Sequence, residues 1–284
     1  MNNGSTINRG VSVTKRISDI KQPRGGYLKP SLFETTVLED KNLLNEKENI
    51  NPSLVGLVVD YMTRFLMGTN IEDAFIISLK GAKRSEIFTK QDNLAVAVGL
   101  LINIKDLDDK SIINACKLVT FDVWFRNPMA AINAIKYNEV LPDKETVDNI
   151  RIMINRSLYF FNLYGPITKD GFDFAPVNST ENQMIKSGEG TYGGYTSVVS
   201  SGDGDFLTKD TLWDFKVSKS KPTSHNTLQI LMYWIMGQHS GQDCYKGIDK
   251  IGIFNPRLNI VYRYNIENLP KETIELIEKK VICY

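Results

Sequence analysis

Apolar and polar side chains alternate most sharply over residues 211–219, TLWDFKVSK. Trp213, Phe215 and Val217 hold one parity and Asp214, Lys216 and Ser218 the other, the pattern of a half-buried strand. Successive side chains leave a strand on opposite faces, so Asp214 and Lys216 share one. The polar Thr208-Lys209-Asp210 suits a hairpin pairing this strand with a run ending near Asp205. A helix is expected from about Ser224 to Gly237, with Gln229 and Tyr233 four apart on one face. After it, IDKIGIFNP and RLNIVYRYNI read as a β-hairpin turning at Asn255-Pro256, and PKETIELIEKKVI as an amphipathic helix with Pro270 near its start.

Upstream, Asn51-Pro52 opens a helix, with Asn as N-cap and Pro at the first helical position, and Gly68 suits its end. SLVGLVVDYMTRFLMG is apolar almost all round, so this helix is expected to be buried. It carries Asp60 and Arg64 one turn apart, with Gly56 a turn earlier. A buried carboxylate must be paired or bind a metal. Asp60 therefore either pairs with Arg64 or reaches a metal held elsewhere.

Residues 70–165 read as mostly helical, with breaks at Gly81, Asp106 to Lys110, Asn127-Pro128 and Pro142-Asp143. Lys83 and Arg84 with Lys90, or Arg126, read as solvated surface cations, with the lining of a substrate groove as the alternative. Residues 166–200 are rich in Gly and aromatics, the composition of short strands and turns. The segment KSGEGTYGGYT lacks the Gly-Lys-Ser/Thr of a phosphate-binding P-loop, and Glu189 within it reads as a turn residue. Residues 1–30 are polar, basic and broken by Pro and Gly, which predicts a flexible tail or a phosphate-touching arm; residues 31–50 read as a short helix or loop.

Of the 284 residues, 42% are apolar and 24% charged, the balance of an ordinary globular protein. The net charge of +1 gives no global pull toward nucleic acid, so any such contact relies on local patches. Three widely spaced cysteines, Cys116, Cys244 and Cys283, argue for a reducing compartment and against a disulfide framework or a four-cysteine metal site. There is no apolar run long enough for a membrane span, and MNNGSTINRG lacks a secretory apolar segment, so a cytoplasmic location is expected.

The chemistry gathers around residues 202–233. Asp205 and Asp214 offer hard carboxylate oxygens of the kind that suit Mg²⁺ or Mn²⁺, and Lys216 accompanies them. Asp203 shares a parity with Asp205 and competes with it. The ordered set Gly202-x-x-Asp205, Asp214-x-Lys216 and Gln229-x-x-x-Tyr233 resembles the PD-(D/E)XK nuclease superfamily, most closely its RecB-like branch. Gly56-x-x-Val59-Asp60 is similar to that branch's first motif, which often has His where this chain has Asp60. The resemblance implies an α/β fold: a restriction-endonuclease-like α/β/α core with a small mixed central sheet and a large helical insertion. The division that follows is a basic arm (1–30), the first-motif helix region (31–68), the helical insertion (69–165) and the core sheet and helices (166–284).

The activity implied is Mg²⁺- or Mn²⁺-dependent hydrolysis of DNA phosphodiesters, in DNA processing or defence against foreign DNA. Asp60, Asp205 and Asp214 would hold metal. Asp205, Asp214, Lys216, Gln229 and Tyr233 would be catalytic, and Lys219, Lys221 and Arg64 would contact nucleic acid. The alternative is a catalytically inactive nuclease fold that binds nucleic acid or a partner protein. The helical insertion would be the interface for a second copy or a partner.

Overall fold

In the computed structural model, which describes residues 10–177 and 191–284, the run around Trp213 lies inside a mixed six-stranded sheet. Its strands in chain order are β1 (Glu34–Val37), β2 (Lys169–Phe172), β3 (Gly204–Leu207), β4 (Thr211–Phe215), β5 (Lys250–Asn255) and β6 (Ile260–Asn265). Across the sheet the order is β1-β6-β5-β4-β3-β2. Strands β4 and β5 are parallel and the other neighbours antiparallel. A parallel pair needs a crossover, and here it is a helix over Ser224–Ser240.

Alternation along the strands builds a core on each face of the sheet. Leu207, Leu212, Ile251 and Ile253 join Leu228, Leu231 and Ile235 of the crossover helix. Phe206, Trp213 and Phe254 join Phe160 on the other face. Phe160 stacks on Phe254 at 4.1 Å and meets Trp213 edge-on at 4.9 Å. Gly252 admits the indole, since a Cβ there would lie 2.3 Å from it.

The helices before the sheet are α1 (Val13–Asp19), α2 (Pro52–Leu66), α3 (Ile71–Ala74), α4 (Ile76–Thr89), α5 (Asn93–Leu101), α6 (Asp109–Leu118), α7 (Asp122–Arg126), α8 (Pro128–Ala131) and α9 (Lys144–Tyr164). The crossover helix is α10, and α11 spans Lys271–Ile277. Helix α2 starts where its sequence predicts: the Asn51 side chain accepts from Ser53 N–H at 2.9 Å, and Gly68 takes φ +102 beyond its end. Its residues Val55, Val58, Val59 and Met62 share a core with the helices that follow, and Phe215 and Val217, at and just past the end of β4, pack against that core. Helix α9 serves both cores. Val147, Ile150, Met153 and Ile154 belong to the helical one, and Phe160 to the sheet.

Two arginines tie the β5–β6 turn to this helical region. Arg257 makes a bidentate pair with Glu48 at 2.7 and 2.9 Å. Arg156 of α9 donates to the Pro256 and Arg257 carbonyls at 3.0 Å each and to Asp40 at 2.5 Å.

Several expectations need correcting. Residues 10–30 are packed, not a solvated tail: Val13, Ile17 and Leu28 are buried in the α10 core, and Arg16 donates to the Val281 and Lys280 carbonyls. Residues 34–37 form an exposed edge strand, whose Glu-Thr-Thr-Val carries no one-sided apolar pattern to announce it. Gly81 does not break a helix but lies inside α4, where a Cβ would come 2.0 Å from the Phe121 carbonyl oxygen of a crossing segment. The 129–140 stretch is helical only as far as Ala131. Asp205 lies near the start of its strand, not the end. Gly188, Glu189 and Gly190 fall outside the described residues. Among the described residues no helix is long and apolar enough to cross a membrane.

Candidate active site

The β3–β4 hairpin brings the two central carboxylates together. Its register pairs Leu207 with Leu212 and Phe206 with Trp213, so the next step sets Asp205 opposite Asp214. Both share the parity of Leu207 and Leu212, which face α10. Asp205 is fixed locally because its Oδ2 accepts the Phe215 N–H at 2.5 Å, where the β3–β4 ladder ends. Gly202 and Gly204 allow the approach to β3 to pack closely. A Cβ at Gly202 would lie 2.8 Å from Val13, and one at Gly204 1.8 Å from the Phe172 ring.

Asp214 is 3% exposed. Its Oδ1 accepts from Lys216 Nζ at 2.9 Å, and its Oδ2 is buried with no hydrogen-bond partner among the described residues. A buried carboxylate oxygen left unpaired is costly and calls for a partner. Lys216 is held by its own backbone, whose N–H donates to the Phe254 carbonyl at 2.9 Å and extends the parallel β4–β5 pairing. Burial alone would lower the Lys216 pKa, but Asp214 and Asp205 outweigh it and raise the ammonium's pKa above its ordinary value. Lys216 is therefore a cation and a donor at neutral pH.

Asp205 shows the opposite balance. Burial, then the charges of Asp214 and Asp60, push its pKa up to about 7, against the opposing pull of Lys216 and Arg64. Four carboxylates face two cations here, for Asp170 joins the group from β2. Arg64 links them: its Nε is 2.8 Å from Asp60, one terminal nitrogen is 3.0 Å from Asp170 and the other 4.0 Å from Asp205. Asp60 thus takes the ion-pair alternative, while its charge still reaches Asp205. Two cavities of about 320 Å³ flank Asp60, one beside Arg64 and Asp170 and one beside Gly56 and Val217. A Cβ on Gly56 would meet only Val217, at an ordinary 3.7 Å, so its smallness keeps the groove open without being required by packing.

On α10, Gln229 Nε2 donates to the Tyr233 hydroxyl at 2.8 Å. Burial raises the Tyr233 pKa strongly; the Gln229 bond opposes this, and the charges of Asp214 and Asp205 add to it. Tyr233 is thus a neutral phenol under the carboxylates. The α10 N-terminus is set by Thr223, whose N–H donates to Asn226 Oδ1 at 2.8 Å. Lys219 and Lys221 are exposed on the β4–α10 connection, and Asp203 is exposed just before β3. His225 and His239 take no part in the group, and His239 pairs with Glu278 at 2.8 Å.

Asp170 was not foreseen, because a four-residue strand shows no period and its partner Arg64 is remote in sequence. Among the described residues no three His, Cys, Asp or Glu side chains are grouped closely enough to hold a metal ion. The facing pair Asp205 and Asp214 remains. Mg²⁺ is commonly bound by one or two carboxylates, with waters and phosphate oxygens completing the shell. Together with the unpartnered Asp214 Oδ2, this donor set fits such an ion. The chain matches no protein-family model, and no curated protein or solved structure is significantly similar to it.

Proposed function

We propose that this protein is a divalent-metal-dependent nuclease built on a restriction-endonuclease-like α/β/α core. One observation carries the reading: Asp205 and Asp214 face each other at one end of the sheet, with Lys216 bonded to one Asp214 oxygen and the other buried without a partner among the described residues. The chain order of helix, three antiparallel strands, crossover helix and parallel strand supports the same fold.

Asp205 and Asp214 would hold Mg²⁺ or Mn²⁺, which when bound neutralises the diester's charge and activates water for attack. The remaining roles belong to the chain. Lys216 donates hydrogen bonds toward the reacting phosphate and offsets the negative charge that grows on it. Gln229 and Tyr233 floor the site with neutral donors, so they orient a phosphate or water without adding charge. Arg64 holds Asp60, Asp170 and Asp205 in register and can answer a phosphate as it answers them. Exposed Lys219 and Lys221 suit sequence-independent backbone contacts. DNA is the substrate proposed from the motif set.

The test is cleavage of labelled linear and circular DNA, single- and double-stranded, in Mg²⁺, Mn²⁺ or EDTA, with Lys216→Ala beside wild type. Metal-dependent cutting by wild type alone upholds the reading. Equal cutting by both proteins would refute the site. A silent nuclease fold draws on one observation, the Arg64 guanidinium already engaging three carboxylates. It predicts DNA binding without cutting in any metal, and no Mn²⁺ binding that depends on Asp205 and Asp214.

A further inference from the structure

Helices α4 and α7 form an open cleft of about 610 Å³ away from the carboxylates, lined by Lys80, Lys83, Arg84, Glu86, Ile87 and Phe125. Lys80 and Arg84 are one turn apart on α4, with Lys83 between them and Ile87 a turn further on. Lys83 is bonded to Glu86 at 2.9 Å. Among the described residues, neither Lys80 nor Arg84 has a carboxylate partner. Arg84 donates to the Phe125 carbonyl at 3.2 Å, and Lys80 Nζ lies 5.8 Å from the Phe125 ring centroid. The ring is 39% exposed and Ile87 75% exposed. Like charges at this spacing on a helix repel, so the pair weakens α4 slightly unless an anion lies across it. A part-exposed aromatic ring with one cation over it and a second beside it is a surface on which a base stacks, displacing the ammonium toward its phosphates.

The cleft also points somewhere. Arg126 follows Phe125 on α7 and is oriented by a buried group. Its terminal nitrogen is 3.3 Å from the Tyr61 hydroxyl, and its Nε is 3.8 Å from Asp122. Asp122 is 2% exposed and accepts from Tyr61 at 2.6 Å and from Ser78 at 2.5 Å. Tyr61 is the neighbour of Asp60. The charge of Asp203, two residues before Asp205, acts on Arg126, and that of Asp60 acts on Asp122. Arg126 therefore joins the cleft, through its neighbour Phe125, to α2, where Tyr61 adjoins Asp60.

We propose that the α4–α7 cleft receives an unpaired nucleic-acid strand, stacking a base on Phe125 and neutralising phosphates with Lys80 and Arg84, and that Arg126 leads the strand toward Asp205 and Asp214. An unpaired strand is specified because a duplex has no free base face to offer Phe125. The proposal deepens the nuclease reading by naming the form of its substrate, yet the contact itself needs no catalysis.

The experiment is fluorescence anisotropy in EDTA, with wild type and variants titrated with labelled oligo(dT), oligo(rU) and duplex DNA over a range of salt. Wild type is expected to prefer the single strands. Phe125→Ala should lose about tenfold in affinity with its salt slope unchanged, and Phe125→Trp should recover it. The Lys80→Ala/Arg84→Ala double variant should lower the salt slope by roughly 1.4, at ~0.7 per phosphate contact. Each variant is checked for a wild-type melting curve, which separates lost contact from lost fold. Folded variants that bind as tightly as wild type with the same slope would overturn the proposal, and so would a wild type that prefers duplex. If these binding effects hold while no metal supports cutting, the cleft stands and the nuclease reading falls. If cutting holds and the binding effects are absent, the reverse is true.

Discussion

Replacing Asp205 with Asn should make the metal-free protein more stable, and increasingly so as the pH rises. In the folded chain the Asp205 pKa is pushed up to about 7, from an ordinary 3.8, by burial and by the charges of Asp214 and Asp60. A carboxyl whose folded pKa is raised contributes its full stability below the unfolded value and loses it as pH climbs through the folded one. At ~1.36 kcal/mol per pH unit, ionising Asp205 costs the fold at most about 4 kcal/mol at pH 8 and roughly 2 kcal/mol at pH 5. Asn carries no charge and can still accept the Phe215 N–H. The stability advantage of the variant should therefore grow by about 2 to 3 kcal/mol between these pH values, or ~4 °C in melting temperature for a chain of this length. Thermal melts of both proteins in EDTA at pH 5 and pH 8 measure it directly. Adding Mg²⁺ should raise the wild type alone, and more at pH 8 than at pH 6, since proton and cation compete for the same oxygens. A variant that melts no higher than wild type at pH 8, or by the same margin at both pH values, would refute the claim that Asp205 is a strained charge.

Lys216→Ala should lower metal-dependent cleavage by about 10²- to 10³-fold, in line with loss of one transition-state donor, while Mn²⁺ titration calorimetry still shows binding at the carboxylates. Gly56→Ala should stabilise α2 by roughly 0.5–1 kcal/mol in chemical denaturation, because the new methyl meets Val217 at ordinary contact. The same change should slow cleavage if the substrate uses the groove beside Asp60. Gly81→Ala should instead destabilise by about 1–3 kcal/mol, because its methyl would run into the Phe121 carbonyl; a neutral result would disprove that crossing. Glu48→Ala strands the buried Arg257 and should lose about 3–5 kcal/mol by the same denaturation assay.

Local signals were legible where sequence neighbours carry them. The cap Asn51, the terminator Gly68, the parity of Trp213, Phe215 and Val217, and the hairpin turning near Pro256 each depend on residues within one element. The Asp205–Asp214–Lys216 group could be read because a hairpin register places two strands at once. What escaped depends on distant partners. Asp170 acquires meaning only through Arg64, and the basic segment at 10–30 is packed because Val13 and Ile17 find a core supplied mostly by residues more than 150 positions away. Gly81 illustrates the ambiguity of a lone glycine, which punctuates a chain or permits a crossing, and only the crossing segment tells which. Arg126 was legible as a surface cation or as lining for a substrate groove, but its anchor Tyr61 was not, since it comes from a different helix.

Helix α9 runs 21 residues, about 30 Å, with one half in each core. It works as a beam common to both halves of the molecule, and the Arg156 and Arg257 ties brace it at the β5–β6 turn. Ties of this kind stiffen that junction. On the proposed nuclease reading, substrate would meet a groove whose walls are already in place, and specificity would rest on what slides into it. It also means that heat or denaturant should meet one cooperative unit, with the slowest-exchanging amides in the middle of that beam.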